Sequence, residues 1–195
     1  MSTIINETRV NLLKEIGVSE EHSNNIMDQI SDTDYKYLKD LKINVSNFLA
    51  AKNLNKKEAY LIGLAVAVNE KNETLKKGFT ELAKREGVTD SELAELYSCV
   101  SLLNINNVFY RFRHFTKKEY YETTPAGIKM SIMMNPVLGK EFFELVSLVV
   151  SSLNGCELCV TSHEDSLIKI GTSEARVYDA IRLGAVVKGL SVVVF

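Results

Sequence analysis

Two cysteines and a histidine lie within eight positions of the segment SSLNGCELCVTSHEDSLIKIG, residues 151–171. On an α-helix, which turns by about 100° per residue, Cys156, Cys159 and His163 lie within about 60° of one another. Both sulfur atoms and the imidazole would then face the same side. This spacing is compatible with a redox centre, with a metal site and with plain helix packing.

The local sequence favours thiol chemistry. An Asn-Gly pair directly precedes Cys156, and such a pair typically ends a helix, so we expect a new helix to begin at Cys156. The first turn of a helix carries free N–H groups and a partial positive charge, which favour a thiolate. His163 lies one turn after Cys159, and Glu144 would reach the same face if the preceding helix ran antiparallel. A nucleophile, a base and an orienting acid are the groups that a thiol enzyme needs.

Three other kinds of site also use cysteine or histidine residues. A c-type haem site requires histidine directly after the second cysteine, where this chain has Val160, and is excluded. Zinc could use the two cysteines, the histidine and the glutamate, but structural zinc sites usually employ a second Cys/His pair, which the chain lacks. Thioredoxin-type exchange places its CxxC pair after a strand, and no strand is expected here.

Other residues of the same types are expected to be structural. Core packing explains Cys99, which has no acidic or basic partner nearby in sequence, better than it explains the cysteine pair. His22 and His114 lack acidic or cysteine neighbours at helical spacing and are expected at the surface or in packing. Methionines 130, 133 and 134 usually indicate adaptable packing, with an apolar wall for an alkyl chain as the less favoured interpretation.

Composition limits the class of protein. The 195 residues include 46% hydrophobic and 25% charged residues and carry a formal net charge of −2, so neither nucleic acid nor a membrane surface is an expected partner. No apolar run approaches the ~20 residues that span a bilayer. The N-terminal residues lack the basic and apolar regions of a secretory signal, which favours a cytoplasmic location. Three cysteines are too few for a disulfide scaffold.

Helical periodicity dominates the rest of the chain, and we predict an all-α fold. Prolines and glycines are sparse, and NKKEAYLIGLAVAV and KEFFELVSLVVSSL each resemble a mostly buried helix. Thr89 and Glu92 form a capping box before a long helix, and Thr172 or Ser173 is expected to cap the last one. The closing VVVF is β-branched but has no evident partner strand.

The sequence also contains a weak internal repeat. With an offset of 84 residues Leu64 falls on Leu148 and Gly87 on Gly171, so two similar helical units are predicted to pack together. The motif positions 156, 159 and 163 then overlie Asn72, Leu75 and Phe79, so chemistry is expected only in the second unit. The predicted single domain comprises a helical extension (about 1–40), a degenerate first repeat (about 41–114), a connector (about 115–135) and a second repeat (about 136–195).

The spacing Glu-x11-Cys-x2-Cys-x3-His, formed by Glu144, Cys156, Cys159 and His163, resembles the motif of the alkylhydroperoxidase D family. That family belongs to the all-helical carboxymuconolactone decarboxylase superfamily. The repeat and the helical pattern extend the resemblance to about residues 40–195, and full-length members are similarly duplicated with one active half. Some members carry a further histidine just before the second cysteine, whereas this chain has Glu157-Leu158 between its cysteines.

The resemblance implies a peroxidase with a redox-active Cys156–Cys159 disulfide and a proton relay through Glu144 and His163. It implies no bound cofactor, because electrons come from dihydrolipoamide or another dithiol donor. The implied partners are a lipoyl-bearing acyltransferase with its flavoprotein dehydrogenase, a peroxiredoxin, and further copies of the chain in a trimer or hexamer. The family assigns peroxide attack to Cys159 and resolution to Cys156.

From the residues alone, the identity of the attacking cysteine stays open. The start of the helix favours Cys156, whereas the adjacency of His163 favours Cys159. The leading hypothesis is an antioxidant alkyl hydroperoxide reductase. The alternatives are a non-enzymatic helical oligomer whose cysteines bind metal or sense oxidants, and a general dithiol oxidoreductase.

Overall fold

The computed structural model describes residues 6–33 and 35–195, and all the regular secondary structure within them is helical. The all-α prediction is confirmed. A short 3-10 turn, Ser131–Met133, precedes the eighth helix. The ten α-helices of the described residues are α1 (Glu7–Glu15), α2 (Asn25–Asp32), α3 (Lys36–Leu49), α4 (Lys56–Asn69), α5 (Glu73–Arg85), α6 (Asp90–Thr116), α7 (Glu119–Thr123), α8 (Lys140–Leu153), α9 (Glu157–Lys169) and α10 (Glu174–Val193).

Helices α4 and α8 form the centre of the fold. Both carry their charges near the start and continue as apolar runs, and the middle of each is buried almost all the way round. They pack against each other and against α6 and α10, while α5 lies on α4 and α9 lies on α8. Because a helix that is apolar on every face must be covered on every face, these two sequences require the surrounding helices. No described helix has the length and apolar character that crossing a bilayer requires.

A glycine-dependent turn joins α8 to α9 and fixes the start of the helix that carries the cysteines. Gly155 has a φ of +66°, in the left-handed region, and its N–H donates to the Ser152 carbonyl (3.2 Å). The Cys156 N–H donates to the Ser151 carbonyl (3.1 Å). These two bonds satisfy carbonyl groups at the end of α8 and form a Schellman motif. Cys156 thereby becomes the residue that immediately precedes α9, as the sequence predicted.

The same turn recurs 84 residues earlier, between α4 and α5. Lys71 takes the left-handed conformation with a φ of +57°, and its N–H donates to the Val68 carbonyl, while the Asn72 N–H donates to the Ala67 carbonyl. Asn72 then caps α5 through its side chain, which accepts from the Leu75 N–H. The position of Cys156 in the second half therefore corresponds in the first half to Asn72, whose side chain caps a helix.

Other predicted helix boundaries agree with the structure. Thr89 and Glu92 form the predicted capping box at the start of α6. Of the two predicted caps of the last helix, Ser173 takes the role, and its hydroxyl accepts from the Arg176 N–H. The β-branched C-terminal segment is helical as far as Val193.

The N-terminal segment contributes to the core. Leu12 and Leu13 on α1 and Ile16 directly after it are completely buried, and α1 packs against α3. The boundary predicted near residue 40 falls within α3, and the predicted connector contains α7 and the 3-10 turn. The division of the chain into an extension, two units and a connector stays a prediction.

Leu75→Ala should destabilise the protein without removing its chemistry. Leu75 is completely buried on α5, and truncating a buried leucine to alanine costs about 2–5 kcal/mol because it leaves a cavity. We expect this loss in the free energy of unfolding, measured by urea titration, and normal peroxidase activity in the folded fraction. The exposed Lys77→Ala on the same helix is the control and should change stability by about 0.5 kcal/mol or less. A folded but inactive Leu75→Ala protein would contradict the assignment of the chemistry to the second half.

Candidate active site

Cys156 and Cys159 form a disulfide at the N-terminal end of α9. Their Cα atoms are 5.3 Å apart, because the two residues are separated by three positions at the first turn of the helix. Cys156 is completely buried, and Cys159 is 7% exposed. Of the two cysteines, Cys159 is therefore the one that retains some exposed surface.

Glu144 and His163 form the hydrogen bond that the relay hypothesis requires. Glu144 lies on α8 and is 4% exposed, and its Oε2 lies 2.6 Å from Nδ1 of His163 on α9. The contact arises because α8 and α9 are joined by a tight turn and pack closely against each other. The structure thus brings together the predicted acid and base, with His163 one helical turn after Cys159.

A lysine that the sequence analysis did not single out contacts the same carboxylate. Lys140, one turn before Glu144 on α8, places its Nζ 2.7 Å from Oε1 of Glu144 and 3.3 Å from the Met133 carbonyl. The i, i+4 spacing of a lysine and a glutamate was the available signal. Burial alone raises the pKa of Glu144, but the hydrogen bonds from His163 and Lys140 outweigh it and hold that pKa below its usual value. Glu144 is therefore ionised at neutral pH.

The ionisation of Glu144 determines which nitrogen of His163 carries the proton. A carboxylate can only accept hydrogen bonds, so the Nδ1 atom beside it must be the donor. In the neutral imidazole, Nε2 is then the proton acceptor. His163 is thereby prepared to receive a proton at Nε2, on the side of the ring away from Glu144.

A cavity of about 410 Å³ opens beside these residues. Its walls come from α6, from the segment before α8 and from α9. Met133 and Met130 contribute apolar wall, which supports the less favoured interpretation of the methionine group, whereas Met134 is 77% exposed. The lining residues are Asn106, Asn107, Tyr110, Met130, Met133, Leu158, Cys159, Ser162 and His163.

A network of amide side chains supports the turn between α8 and α9. The Asn154 Nδ2 donates to Oδ1 of Asn107 (2.9 Å), and the Asn107 Nδ2 donates to the Ser151 hydroxyl (3.0 Å). Arg111 donates to the backbone carbonyl of Asn154 (2.6 Å), and the Asn69 amide donates to the side-chain Oδ1 of Asn154 (3.1 Å). Helices α4 and α6 thus hold the loop that carries Cys156. Sequence reasoning missed Asn69, Asn107 and Arg111 because all three lie far from the cysteines in the chain.

The remaining cysteine and histidines lie outside the site. Cys99 is completely buried, with its Sγ 3.7 Å from the Ser147 hydroxyl, and burial raises the pKa of its thiol to about 12. Such a thiol is inert at neutral pH. His114 is partly exposed and lies 3.4 Å from Glu157, an acidic neighbour provided by the packing of α6 against α9 rather than by local spacing. The side chain of His22 contacts Asn24 (3.5 Å).

No group of three or more His, Cys, Asp or Glu side chains in residues 6–33 and 35–195 is arranged to hold a metal ion. In the described geometry the two sulfur atoms bond to each other, and the Glu144 carboxylate is engaged by His163 and Lys140. The residues of the hypothetical zinc site are thus paired among themselves and with Lys140.

Acidification should remove the contribution of Glu144 to stability. The pKa of the Glu144 carboxyl group is lower in the folded protein than in the unfolded chain, where it is about 4.3. Such a group stabilises the fold at pH values above the unfolded-state pKa, and this contribution is lost as the pH falls through the folded-state pKa. We therefore expect the difference in unfolding free energy between the wild type and Glu144→Gln to shrink as the pH falls from about 5 to about 3. Urea titrations at several pH values measure it. A difference that stays constant over this range would contradict the assigned ionisation.

Comparison with known proteins gives a consistent assignment. The carboxymuconolactone decarboxylase family model matches residues 121–194. The chain is 37% identical over 167 residues to the alkyl hydroperoxide reductase AhpD of Coxiella burnetii, a match that covers 84% of this chain and 92% of the relative. It is 33% identical over 156 residues to AhpD of Rhodopseudomonas palustris, covering 80% and 86% of the two chains. The chain therefore belongs to the AhpD family of alkyl hydroperoxide reductases.

Proposed function

We propose that this protein reduces organic hydroperoxides, with Cys156 and Cys159 cycling between dithiol and disulfide. The observation that carries the proposal is the position of Cys159 and His163 in the wall of one cavity, with His163 bonded to the buried Glu144 carboxylate. Membership of a family of alkyl hydroperoxide reductases supports the same reaction. The apolar methionines of the cavity wall are suited to an alkyl or aryl group.

The first step oxidises Cys159. In the reduced protein Nε2 of His163 takes the proton of the Cys159 thiol, and the thiolate attacks the hydroxyl oxygen of the hydroperoxide. The O–O bond breaks as the S–O bond forms, so that sulfur is oxidised to a sulfenic acid and the peroxide is reduced to an alkoxide. The His163 imidazolium, stabilised by Glu144, returns its proton to the alkoxide and releases an alcohol.

The second step forms the disulfide. The Cys156 thiol attacks the sulfenic sulfur of Cys159, its proton leaves with the hydroxyl group as water, and the Cys156–Cys159 bond forms. The two residues are held close enough for this reaction by the Schellman turn and the first turn of α9.

An external dithiol completes the cycle. We expect its thiolate to attack Cys159, which lines the cavity, and to displace the thiolate of the buried Cys156. A second attack by the donor then releases the reduced protein and an oxidised donor, so no bound cofactor is needed. The proposed donor is a dihydrolipoyl group on an acyltransferase, in a system that includes a peroxiredoxin, working in the cytoplasm where thiols are kept reduced.

A homo-oligomer, as a trimer or hexamer, is part of the proposal. Four exposed apolar side chains follow one face of α6 at spacings of three and four residues, which is a helix-packing pattern. They are Ile105, Val108, Phe112 and Phe115. In sedimentation measurements we expect the wild type to form an oligomer and the Val108→Glu variant to dissociate more readily, because the substitution places a charge in the apolar face.

Turnover of cumene hydroperoxide with dihydrolipoamide tests the proposed function, with glutathione and thioredoxin as alternative donors. We expect turnover with dihydrolipoamide and none in Cys159→Ser. Absence of turnover with every donor would overturn the proposal. In that case, one zinc ion per chain retained by protein purified without added zinc would favour the metal-binding alternative.

A further inference from the structure

An unpartnered polar atom belongs to a residue in the wall of the active-site cavity. Asn106 on α6 is 6% exposed and lines the cavity together with Cys159 and His163. Its Nδ2 contacts the Met130 sulfur at 3.2 Å, whereas its Oδ1 is buried and has no hydrogen-bond partner among the described residues. A buried carbonyl oxygen without a hydrogen-bond partner destabilises the folded protein. Native proteins rarely keep such a group without a reason.

The neighbouring amide shows that the fold can satisfy an asparagine at this wall. Asn107 donates to the Ser151 hydroxyl and accepts from the Asn154 amide, so that both ends of its side chain are bonded. Asn106, one residue earlier, is held only at its nitrogen by a weak thioether acceptor. Oδ1 therefore lacks a hydrogen-bond partner in Asn106 but not in Asn107. None of the described residues donates a hydrogen bond to the Asn106 oxygen.

We infer that Oδ1 of Asn106 accepts a hydrogen bond from the O–H group of the hydroperoxide and directs its hydroxyl oxygen towards Cys159. This inference rests on the proposed function. A hydroperoxide has one O–H donor and an organic group that Met130 and Met133 can cover. Thiolate attack moves the hydroxyl from the alkoxy oxygen to sulfur, so the same O–H can stay bonded to Asn106 in the sulfenic acid, while His163 protonates the alkoxide.

The chemistry of the reductant predicts a difference between the two half-reactions. A thiol is a weak hydrogen-bond donor, so a dithiol gains little from a carbonyl acceptor. Asn106 should therefore assist oxidation of the protein by peroxide and not its reduction by dithiol. Because hydrogen peroxide also carries O–H groups, the assistance should be similar for hydrogen peroxide and for cumene hydroperoxide.

Asn106→Leu, which has a similar volume and no acceptor, tests the inference in single-turnover measurements. We expect the rate of Cys159 oxidation to fall about threefold to tenfold for both peroxides, as expected for loss of one neutral hydrogen bond. The rate of disulfide reduction by dithiothreitol should stay within about twofold of the wild type. Asn44→Leu, the same change at an exposed position of α3, is the control and should alter neither rate. Unchanged oxidation in Asn106→Leu would overturn the inference.

Thermal stability distinguishes peroxide binding from a structural role. Removing an unpartnered buried carbonyl should leave the Tm of Asn106→Leu equal to or above that of the wild type, although oxidation is slower. A lower Tm, together with equal slowing of both half-reactions, would indicate that Asn106 only maintains the fold and would contradict the inference.

A measurement on the wild type tests the same contact without relying on a variant. 2-Phenyl-2-propanol carries an O–H donor, and its methyl ether does not, so the alcohol should inhibit peroxide reduction about threefold to tenfold more strongly. Equal inhibition by the two compounds would count against the contact. Wild-type protein that reduces no peroxide would refute the proposed function itself, whereas active wild type without this preference would refute only the role of Asn106.

Discussion

Cys159→Ser should abolish hydroperoxide consumption, because serine cannot form a sulfenic acid. Cys159 is the motif cysteine that lines the cavity beside His163, whereas Cys156 is completely buried. The expected loss is the whole of the catalysed rate, measured as the disappearance of cumene hydroperoxide in the presence of dihydrolipoamide. No other change proposed for this chain should have so large an effect.

Cys156→Ser is the matched control for this prediction. It should still permit one attack on peroxide, and it should leave a sulfenic acid at Cys159 that dimedone traps and mass spectrometry locates. Cys99 should stay unlabelled in every variant, since burial raises its pKa to about 12. A trapped sulfenic acid at Cys156 in the Cys159→Ser protein would show that the two roles are reversed.

Glu144→Gln and His163→Gln should each slow peroxide reduction by about 10²–10⁴-fold, the usual contribution of a positioned proton-transfer group. Both variants keep the two thiols. Glutamine at position 144 removes the charge that stabilises the His163 imidazolium, across the 2.6 Å contact between Oε2 and Nδ1. Glutamine at position 163 removes the base itself. Steady-state rates over a range of pH measure both effects.

Glu141→Gln is the matched control for the relay, because it makes the same acid-to-amide change one turn earlier on α8. Glu141 bonds to Arg176 and Thr172, outside the cavity, and its replacement should leave the rate nearly unchanged. The alkylation rate of Cys159 at neutral pH should fall in Glu144→Gln and not in Glu141→Gln. Wild-type peroxide reduction by Glu144→Gln would contradict a relay through this carboxylate.

The local part of the site could be predicted from the sequence. Helical spacing puts both cysteines and His163 on one face, and the Asn-Gly pair marks the helix end before Cys156, as the structure has it. The pairing of Glu144 with His163 followed from assuming an antiparallel return of the preceding helix. Each inference needed only the geometry of a helix and a short turn.

The parts of the site that come from distant helices could not be predicted in this way. Asn106 and Asn107 reach the cavity from α6, about 50 residues before the cysteines, and no local pattern indicates which helix packs there. The turn at Lys71 could not be predicted from the sequence either, because lysine rarely takes a left-handed conformation such as the one at Lys71, where φ is +57°. The first feature depends on tertiary packing, and the second on a backbone conformation that the residue type does not indicate.

The most direct test of the account is the stoichiometry of one oxidation. Fully reduced protein is mixed anaerobically with one equivalent of cumene hydroperoxide, and thiols, alcohol and disulfide-linked peptides are then counted. We expect one alcohol formed for every two thiols lost, with a single new bond between Cys156 and Cys159 and with Cys99 still reduced. Alcohol formation without that disulfide, or no loss of thiols at all, would contradict it.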